Sequence, residues 1–274
     1  MTGLHTRIAP TPSGFLHAGN ALNFLIIHQL AREAGGSILL RIDDLDTDRV
    51  RPEYIEAIFE SLDQLGIGWD TGPRSAADLK QSWSQSLRVG RAERLLNLLK
   101  DAGHLYACRC SRKQIDDCSC QERNLPFDTA DGLWRLRIPE PCEVIFRTWP
   151  DGHGSVDLRK AMRDPVLRQR NGSPAYQVMS LADDADFGIT LIVRGEDLLP
   201  STACQVYLAK LLGLRSFQEA RFLHHPLIVD ANGDKLSKSA GAGSLRSARL
   251  AASATAHLHT QAAQILARLR AQGL

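Results

Sequence analysis

The chain has 274 residues, a formal net charge of +2 at pH 7, and 43% hydrophobic and 23% charged residues. This length supports one large α/β domain or two smaller ones with a buried core, and the composition is typical of globular proteins. No apolar run approaches the roughly 20 residues of a membrane-spanning helix, and no basic and apolar leader opens the chain. We therefore expect a cytoplasmic protein without membrane association.

The N-terminal segment predicts a strand, a helix and a second strand. Thr6–Pro10 is a short strand candidate, and Asn20–Gly36 has apolar residues at helical spacing before a Gly-Gly stop. Ser37–Asp44 is an apolar strand candidate followed by acidic residues. A strand–helix–strand unit of this kind predicts a parallel sheet and an α/β fold class.

The middle of the chain interrupts this pattern. Two amphipathic helices are predicted at Pro52–Gly66 and Arg88–Gly103, and a cysteine-rich stretch with few periodic segments then begins at Tyr106. The α/β pattern returns afterwards with candidate elements at Ile189–Leu199, Ser201–Gly213 and the strand-like His225–Val229. We divide the chain into a first half of the main domain, an insertion, a second half and a short basic helical tail, at residues 1–105, 106–175, 176–240 and 241–274.

The stretch APTPSGFLHAGN, Ala9–Asn20, follows the first predicted strand and favours a bound phosphate. Its glycines let the backbone approach a ligand, and the helix N-terminus that follows offers N–H groups and a positive dipole end. His17 stands just before that helix, where it could donate a hydrogen bond to a phosphoryl oxygen. Neither a Walker lysine nor a G-x-G-x-x-G motif is present here. A Gly/Pro turn with an incidental histidine is the alternative interpretation of this stretch alone.

A second motif narrows the interpretation. GDKLSKSAG, Gly233–Gly241, places two lysines and two serines in a glycine-flanked loop, for which solvated lysines are the alternative. The pairing of P-x-P-S-G-x-L-H-x-G with K-L-S-K-S in this order resembles the two signature sequences of the class I aminoacyl-tRNA synthetases. The resemblance implies a Rossmann-like catalytic domain with a parallel sheet, interrupted by a small α+β insertion that contains zinc.

Further segments resemble the catalytic domain of glutamyl-tRNA synthetases. They include LLRIDDLDTDR, GIGWDTGP and AYQVMSLADDADFGITLIVRGEDLLPST, and the resemblance extends to about Ser239. Only about 35 residues follow the lysine loop, which is too few for the anticodon-binding region of a full enzyme. The chain is therefore most similar to the truncated paralogues, the glutamyl-Q tRNA(Asp) synthetases. These activate glutamate with ATP and transfer it to the queuosine base of tRNA(Asp).

The resemblance implies a set of residues that contact the amino acid. Arg7 matches the arginine that holds the side-chain carboxylate, and a guanidinium is the natural bidentate partner of that group. The other matching positions are Ala9, Thr11, Ser13, Asp43, Tyr176 and Arg194. Two positions depart from the bacterial glutamyl pattern, because Asp43 stands where Glu is usual and Gln177 where Asn is common. For Arg194 the alternative is a structural ion pair with Glu196 or Asp197.

The implied mechanism is the attack of the glutamate α-carboxylate on the α-phosphate of ATP. ATP binding is expected at His17, Gly19, Asn20 and Lys238, and Lys235 joins His17, Gly19 and Lys238 in catalysis. The lysines neutralise the departing pyrophosphate from a loop that closes on ATP. Magnesium is expected with the triphosphate, held mainly by phosphate oxygens. No general base is needed, since a carboxylate is already ionised at neutral pH.

The cysteines form the other constellation. Cys108, Cys110, Cys118 and Cys120 make a C-x-C-x7-C-x-C pattern inside the insertion. Four close cysteines in a cytoplasmic chain predict a tetrahedral structural zinc site, and glutamyl-type synthetases often carry such a site opening with C-x-C. Reduced or partly oxidised thiols are the alternative. Cys142 and Cys204 are isolated and are predicted to be core residues.

The expected partners are ATP, L-glutamate and a tRNA, with queuosine-bearing tRNA(Asp) as the main candidate, and the protein is expected to be a monomer. Gly241–Leu274 contains four arginines and no acidic residue, so this tail either tracks phosphates or forms a solvated helix face. Two other functional classes stay open. One is a synthetase-like ligase that loads another acceptor, such as a tRNA 3′ end or a carrier protein. The other is a non-catalytic relative that binds tRNA or an amino acid.

Overall fold

The computed structural model describes residues 3–115, 118–227 and 252–271. It contains nine strands in this described part: β1 His5–Ile8, β2 Ser37–Leu40, β3 Leu105–Cys108, β4 Leu133–Leu136, β5 Glu143–Thr148, β6 Gly152–Asp157, β7 Val166–Arg168, β8 Leu191–Gly195 and β9 Arg221–His225. The α-helices are α1 Ala18–Glu33, α2 Pro52–Gln64, α3 Ala76–Asp78, α4 Val89–Asp101, α5 Cys120–Arg123, α6 Leu158–Met162, α7 Tyr176–Asp186, α8 Leu199–Leu211, α9 Arg215–Gln218 and α10 Ala252–Ala271.

The N-terminal strand–helix–strand unit is confirmed. β1 pairs in parallel with β2, with Arg7 opposite Leu39, and α1 connects the two strands. The predicted helices of the following segment also form, as α2 and α4. α2 begins at Pro52, whose missing N–H is not needed in a first helical turn.

The central sheet joins segments that lie far apart in the sequence. β8 and β9 are parallel, β9 is also parallel to β5, and β6 forms the antiparallel edge. β1 lies beside β8, because the backbone N–H of Thr190 donates to the carbonyl of His5 at 2.9 Å. The strands therefore follow the spatial order β2, β1, β8, β9, β5, β6, and the predicted α/β fold with a parallel sheet is confirmed.

A second, smaller sheet stands apart from the central one. β3, β4 and β7 form an antiparallel sheet, and the paired cysteines run from Cys108 at the end of β3 to Cys120 at the start of α5. β5 and β6 fall within the predicted insertion at 106–175, yet they extend the central sheet. The division of the chain into domains stays a prediction.

One predicted strand is wrong in its position. His225–Val229 was expected to be a strand, but β9 spans Arg221–His225 and ends before Pro226. Proline has no N–H to donate to a neighbouring strand, so β9 ends at His225, the residue at which the predicted strand was expected to begin. Residues 228 and 229 lie outside the described part.

Helix α10 forms most of the predicted C-terminal tail and packs against α1. Its buried face presents Leu258, Ala262, Leu266 and Leu269 to the core beside α1, and Arg270 pairs with Glu33. Residues 241–251 and 272–274 of the tail lie outside the described part. Among the described helices, none combines the length and the apolarity needed to cross a membrane.

Candidate active site

A cleft of about 320 Å³ opens beyond the carboxyl ends of β1 and β2, where parallel α/β sheets usually bind ligands. The loop after β1 continues beside the segment after β2, because Asp43 N donates to the carbonyl of Pro10 at 2.9 Å. The N-terminus of α7 supplies the opposite wall. The cleft is lined by Thr11, Ser13, Asp43, Leu45, Asp46, Arg49, Gln85, Gln169, Asn171, Ser173, Pro174, Tyr176, Met179 and Ser180.

Several residues predicted to contact an amino acid meet in this cleft. Thr11, Ser13, Asp43 and Tyr176 line it, and Tyr176 is 42% exposed. Ala9 follows β1 but is not among the lining residues. The structure therefore brings four of the seven predicted positions to one open space, and their roles in binding stay predictions.

His17 is the N-cap of α1. Its Nδ1 accepts a hydrogen bond from the N–H of Gly19 at 3.1 Å, and its own N–H donates to Oδ1 of Asn20 at 3.1 Å. Because Nδ1 is an acceptor here, the proton of the neutral ring resides on Nε2. The Gly19 N–H and the Asn20 side chain take part in this capping of α1, and the predicted roles of Gly19 and Asn20 in ATP binding stay predictions.

Behind the cleft lies a buried ion network centred on Arg41. Its Nε and Nη2 donate to the two carboxylate oxygens of Asp43 at 2.7 and 3.1 Å, and its Nη1 donates to Oδ1 of Asp184 at 2.7 Å. Nη2 also donates to Oγ of Ser180 at 2.9 Å. Asp43 thus faces the cleft while it is held by a bidentate ion pair, which fixes its orientation.

A second layer surrounds this pair. Asp183 accepts from Nε of Arg88 at 2.6 Å and from Nε2 of Gln85 at 2.8 Å, and Gln85 also reaches Asp43 at 3.2 Å. The opening of α4 at Arg88 is thereby tied to α7 at Asp183. The ion network consists of Arg7, Arg41, Arg88, Asp43, Asp183 and Asp184.

Arg7 does not line the cleft. It is only 4% exposed, and its Nε donates to Oδ1 of Asp184 at 3.2 Å. Its Nη1 lies 3.4 Å from the carbonyl of Val193, next to Arg194 in β8. The arginine predicted to hold a substrate carboxylate is therefore beneath the cleft, inside the ion network.

Arg194 is buried in a different way. It is 3% exposed, its Nη2 donates to Oε1 of Gln205 at 3.0 Å, and its guanidinium lies 5.5 Å from the centre of the Phe222 ring. Within the described part of the chain, Arg194 Nε, Arg194 Nη1 and Gln205 Nε2 have no hydrogen-bond partner. We call these three atoms the donor cluster. The partner that the structure gives Arg194 is Gln205, whereas Glu196 Oε1 accepts from the N–H of Leu227.

The two arginine environments shift proton affinities in opposite directions. Burial lowers the pKa of Arg194 to about 10, and the positive charges of Arg7 and Arg41 act in the same direction. Burial also opposes the charge of Arg41, but Asp184, Asp43 and Asp183 hold the pKa of Arg41 well above its ordinary value. Burial raises the pKa of Asp43 in spite of Arg41. Arg194 is therefore the cation that lacks compensation by a close carboxylate.

A larger groove of about 970 Å³ adjoins the cleft. Gln169, Asn171 and Tyr176 line both spaces, so the groove continues from the cleft towards the smaller sheet. Its further walls include Arg135, Asp164 and Gln177, each less than 10% exposed. The two connected spaces can accommodate a small substrate beside a larger one.

The four predicted cysteines meet in one cluster. Their sulfur atoms all lie within 4.8 Å of one another, with Cys108 Sγ 3.6 Å from Cys118 Sγ and Cys110 Sγ 3.8 Å from Cys120 Sγ. Four sulfurs bound tetrahedrally at about 2.3 Å from a zinc ion would be separated by about 3.8 Å, so the cluster could hold a metal of that size. Cys142 and Cys204 are buried apart from it, as expected for core residues.

Some site residues were missed and others cannot be placed. The motifs pointed to Asp43 but not to Arg41, two positions earlier, and they did not point to Arg88, Asp183, Asp184 or Gln205. Gln205 lies in α8 together with Ser201, Thr202 and Lys210, so no local pattern marked it as part of the donor cluster. Lys235 and Lys238 lie outside the described residues.

Comparison with known proteins identifies the family. The family model described as tRNA synthetases class I (E and Q), catalytic domain, matches residues 3–131 and 128–260. A glutamyl-Q tRNA(Asp) synthetase of Pseudomonas fluorescens is 42% identical over 239 residues, which cover 85% of this chain and 75% of that protein. Proteins of the same name from Nitratidesulfovibrio vulgaris and Burkholderia cenocepacia are 36% and 38% identical, and the matches cover 85% and 89% of this chain and 76% and 83% of theirs.

Solved structures support the same assignment. A glutamate-tRNA synthetase from Elizabethkingia anophelis matches 86% of this chain with a TM-score of 0.71 and 26% identity. A glutamate tRNA ligase from Elizabethkingia meningosepticum, in complex with its amino acid, matches 87% with the same TM-score and identity. This chain spans about half, 52%, of the length of each. The chain belongs to the class I tRNA synthetase family of the E and Q type, and within it to the glutamyl-Q tRNA(Asp) synthetases.

Proposed function

We propose that this chain activates glutamate with ATP and transfers it to the queuosine base of tRNA(Asp). The names of its curated relatives support this proposal, and so does the chemistry of the cleft. The single observation on which the proposed binding of glutamate depends is the donor cluster at Arg194 and Gln205. Three buried donors, two of them on the uncompensated guanidinium of Arg194, fit the oxygens of a carboxylate better than any neutral group.

Glutamate fits this environment because it carries a second carboxylate. Arg7 and Arg194 would receive the side-chain carboxylate, and Asp43 would face the α-ammonium across the cleft. Since Arg7 and Arg194 are 4% and 3% exposed, binding requires a movement of side chains beneath the cleft. Tyr176 lines the cleft at the start of α7, and we expect its side chain to move together with them.

The first chemical step joins glutamate to the α-phosphate. An oxygen of the α-carboxylate attacks the α-phosphorus of ATP, the bond to the bridging oxygen breaks, and pyrophosphate leaves with the electron pair. His17 would donate from Nε2 to an α-phosphoryl oxygen, since its Nδ1 is held by Gly19. Lys238, with Lys235 nearby, would neutralise the departing pyrophosphate. Magnesium would accompany the triphosphate and be held by phosphate oxygens.

In the second step the acceptor displaces AMP. We place the acceptor in the groove of about 970 Å³, because it shares Gln169, Asn171 and Tyr176 with the cleft. A hydroxyl group held there would reach the activated carboxyl carbon without crossing the protein. Binding of a tRNA should weaken as salt rises, since lysines and arginines must displace counterions from the phosphates.

The cysteine cluster would hold one structural zinc ion. Two sulfur–sulfur separations, 3.6 and 3.8 Å, match a tetrahedral site, and all four sulfurs lie within 4.8 Å of one another. Cys108 and Cys120 are 0% and 4% exposed, as in a closed site without a position for substrate. The purified protein should therefore contain about one zinc per chain. Four thiols that titrate freely in a native, metal-free protein would contradict this assignment.

Amino-acid activation is tested by ATP–pyrophosphate exchange without tRNA. With magnesium present, glutamate should support exchange and should be a better substrate than aspartate or glutamine. Absence of exchange with both glutamate and glutamine would contradict the proposed enzyme and favour a non-catalytic binding protein.

The acceptor is tested in a separate assay with labelled glutamate and ATP. It compares queuosine-bearing tRNA(Asp), the same tRNA without queuosine, and tRNA(Glu). We expect label only on the first. Label at the 3′ end of tRNA(Glu) would identify a truncated conventional synthetase, and intact exchange with no labelled tRNA would indicate another acceptor such as a carrier protein.

A further inference from the structure

Arg135 of β4 connects the cysteine cluster to the wall of the groove. It is 5% exposed, and all three of its guanidinium nitrogens donate hydrogen bonds. Nε donates to Cys108 Sγ at 3.3 Å, Nη2 to the carbonyl of Cys110 at 3.2 Å, and Nη1 to the carbonyl of Asp164 at 2.8 Å. One planar group thus spans from two cysteines of the cluster to a groove residue.

Asp164 carries this connection into the surrounding elements. Its Oδ2 accepts from the hydroxyl of Tyr106 at 3.0 Å, and its Oδ1 accepts from Nη1 of Arg159 at 2.6 Å and from the N–H of Ile138 at 3.2 Å. Asp164 is 6% exposed, so these are buried bonds that hold one arrangement. A displacement of Arg135 would therefore be transmitted to β3 and α6.

The groove lies directly beside this connection. Arg135 and Asp164 both line it, together with Met162 at the end of α6 and Gln177 on α7. Nε2 of Gln177 lies 3.9 Å from Sδ of Met162 and donates to Oγ of Ser201 at 3.0 Å. Because Arg159 and Met162 both belong to α6, these contacts and that helix together connect the cysteine cluster to Gln177, the residue that follows Tyr176.

We propose that Arg135 is a positioning residue through which the metal-bound cysteine cluster sets the wall of the acceptor groove. This inference rests on the proposed function in one respect, namely that the groove receives the acceptor. The metal would then do more than stabilise the fold around β3, because its ligands would also fix the residues that the acceptor contacts. Arg135 itself touches neither the metal nor the amino acid.

The chemistry of a guanidinium explains why arginine is suited to this role. Its N–H groups point in fixed directions within one plane, so three bonds determine its position completely. A lysine at the same place would carry the charge but could not span the sulfur and both carbonyls. An N–H donor to a thiolate ligand also orients that ligand, and the loss of such outer contacts commonly weakens metal binding by about 10–100-fold.

Arg135→Lys tests the proposal, with Arg137→Lys as a matched control. Arg137 lies two residues further along the chain, and its described contacts are to the carbonyl of Leu105 at 3.2 Å and the ring of Tyr106. For each protein we would measure zinc release to a colorimetric chelator, the KM for acceptor tRNA, and glutamate-dependent ATP–pyrophosphate exchange. The zinc measurement needs no enzymatic activity.

Arg135→Lys should release zinc about 10-fold faster or more and raise the KM for the acceptor by a similar factor, with exchange unchanged within about 2-fold. Arg137→Lys should resemble the wild type in all three. Two results would show that the metal cluster does not set the groove wall through Arg135: faster zinc release with an unchanged KM for the acceptor, or a raised KM with unchanged zinc release. A loss of exchange as large as the rise in KM would also contradict the proposal. The wild-type protein is measured before any variant. If it does not catalyse exchange, the proposed function is refuted. If it catalyses exchange but does not transfer glutamate to the tRNA, the proposed acceptor is refuted.

Discussion

The regions around Arg41 and Arg194 bury the same kind of group in opposite ways. Arg41 is enclosed by Asp43, Asp183 and Asp184, and its guanidinium makes bonds of 2.7–3.1 Å to carboxylates and a hydroxyl. Arg194 has a neutral partner, Gln205, and belongs to the donor cluster. A buried charge without compensation costs free energy, whereas a fully bonded one is held in place.

This difference supports our proposal that Arg41 is structural and that Arg194 binds a ligand. The ion network links β2, α4 and α7 and holds Asp43 at the cleft, so its contribution is present before any substrate binds. The donor cluster is destabilising in the free protein and would become favourable when a carboxylate joins it. Such a site lowers the stability of the free protein in order to bind a ligand, which is common in active sites.

The largest expected effect on stability comes from breaking the ion network. Arg41→Met leaves the carboxylates of Asp43 and Asp184 buried without their main partner, and should lower the free energy of unfolding by about 3–5 kcal/mol. Urea denaturation followed by circular dichroism measures this change. A loss below about 1 kcal/mol would contradict the structural role that we assign to the network.

Asp184→Asn should have a smaller effect. Asp184 accepts from both Arg7 at 3.2 Å and Arg41 at 2.7 Å, and asparagine keeps the shape while removing the charge. Because hydrogen bonds to charged groups contribute about 1.5–3 kcal/mol, we expect a loss of about 2–3 kcal/mol in the same denaturation experiment. Asp186→Asn on the same helix, where the ion pair with Arg91 is exposed, is the matched control and should change stability by less than about 0.5 kcal/mol.

Arg194→Met should increase the stability of the free protein. It removes the uncompensated charge and two of the three atoms of the donor cluster while keeping an apolar stem beside Phe222. Since Gln205 loses its partner at the same time, the net gain should be only about 1–2 kcal/mol, seen as a melting temperature raised by about 2–4 °C per kcal/mol. A clear destabilisation would mean that Arg194 is structural, and Arg194→Lys, which keeps the charge, should show no gain.

The smallest effect concerns pH and reports on the charge of Arg194. Burial lowers the pKa of His224 to about 3, and the charge of Arg194 acts in the same direction, while Nε2 of His224 lies 2.9 Å from Oγ1 of Thr202. The unfolded chain takes up this proton near pH 6.5, so the contribution of His224 is fully present above that pH and is lost progressively towards pH 3.

Between pH 7 and pH 6 this contribution should fall by less than about 1 kcal/mol. His224→Gln should remove that part of the pH dependence in urea denaturation. Arg194→Met should leave the slope between pH 7 and pH 6 nearly unchanged and should raise the pH at which the loss levels off, because one cause of the low pKa of His224 is then gone. An unchanged levelling-off pH in Arg194→Met would show that His224 does not sense the charge of Arg194, and an unchanged slope in His224→Gln would show that His224 does not cause this pH dependence.

Local signals in the sequence predicted much of the fold. Apolar periodicity and glycine stops identified the first strand–helix–strand unit, α2 and α4, because these elements are determined by neighbouring residues. The strand at His225–Val229 was misplaced, since an apolar run outweighed Pro226 in the prediction although proline ends a ladder. The pairing of β5 with β9 joins segments 74 positions apart at Arg147 and Arg221, which no local pattern encodes.

Sequence motifs predicted the cysteine cluster and several residues of the cleft, but not the buried ion pairs around them. The spacing of the cysteines predicted their cluster, because two C-x-C pairs in one loop bring four sulfurs together. The bond from Arg41 to Asp184 crosses 143 positions, and a single sequence gives no sign of it. Likewise, the burial of Arg7 and Arg194 beneath the cleft depends on how β1 and β8 lie side by side.

The most direct test of the central claim is glutamate-dependent ATP–pyrophosphate exchange by the wild type and by Arg194→Met. The claim is that a substrate carboxylate completes the donor cluster, so the variant should lose about 100-fold or more in kcat/KM for glutamate although it is folded and more stable. Exchange by the folded variant at the wild-type rate and with the wild-type KM would contradict it.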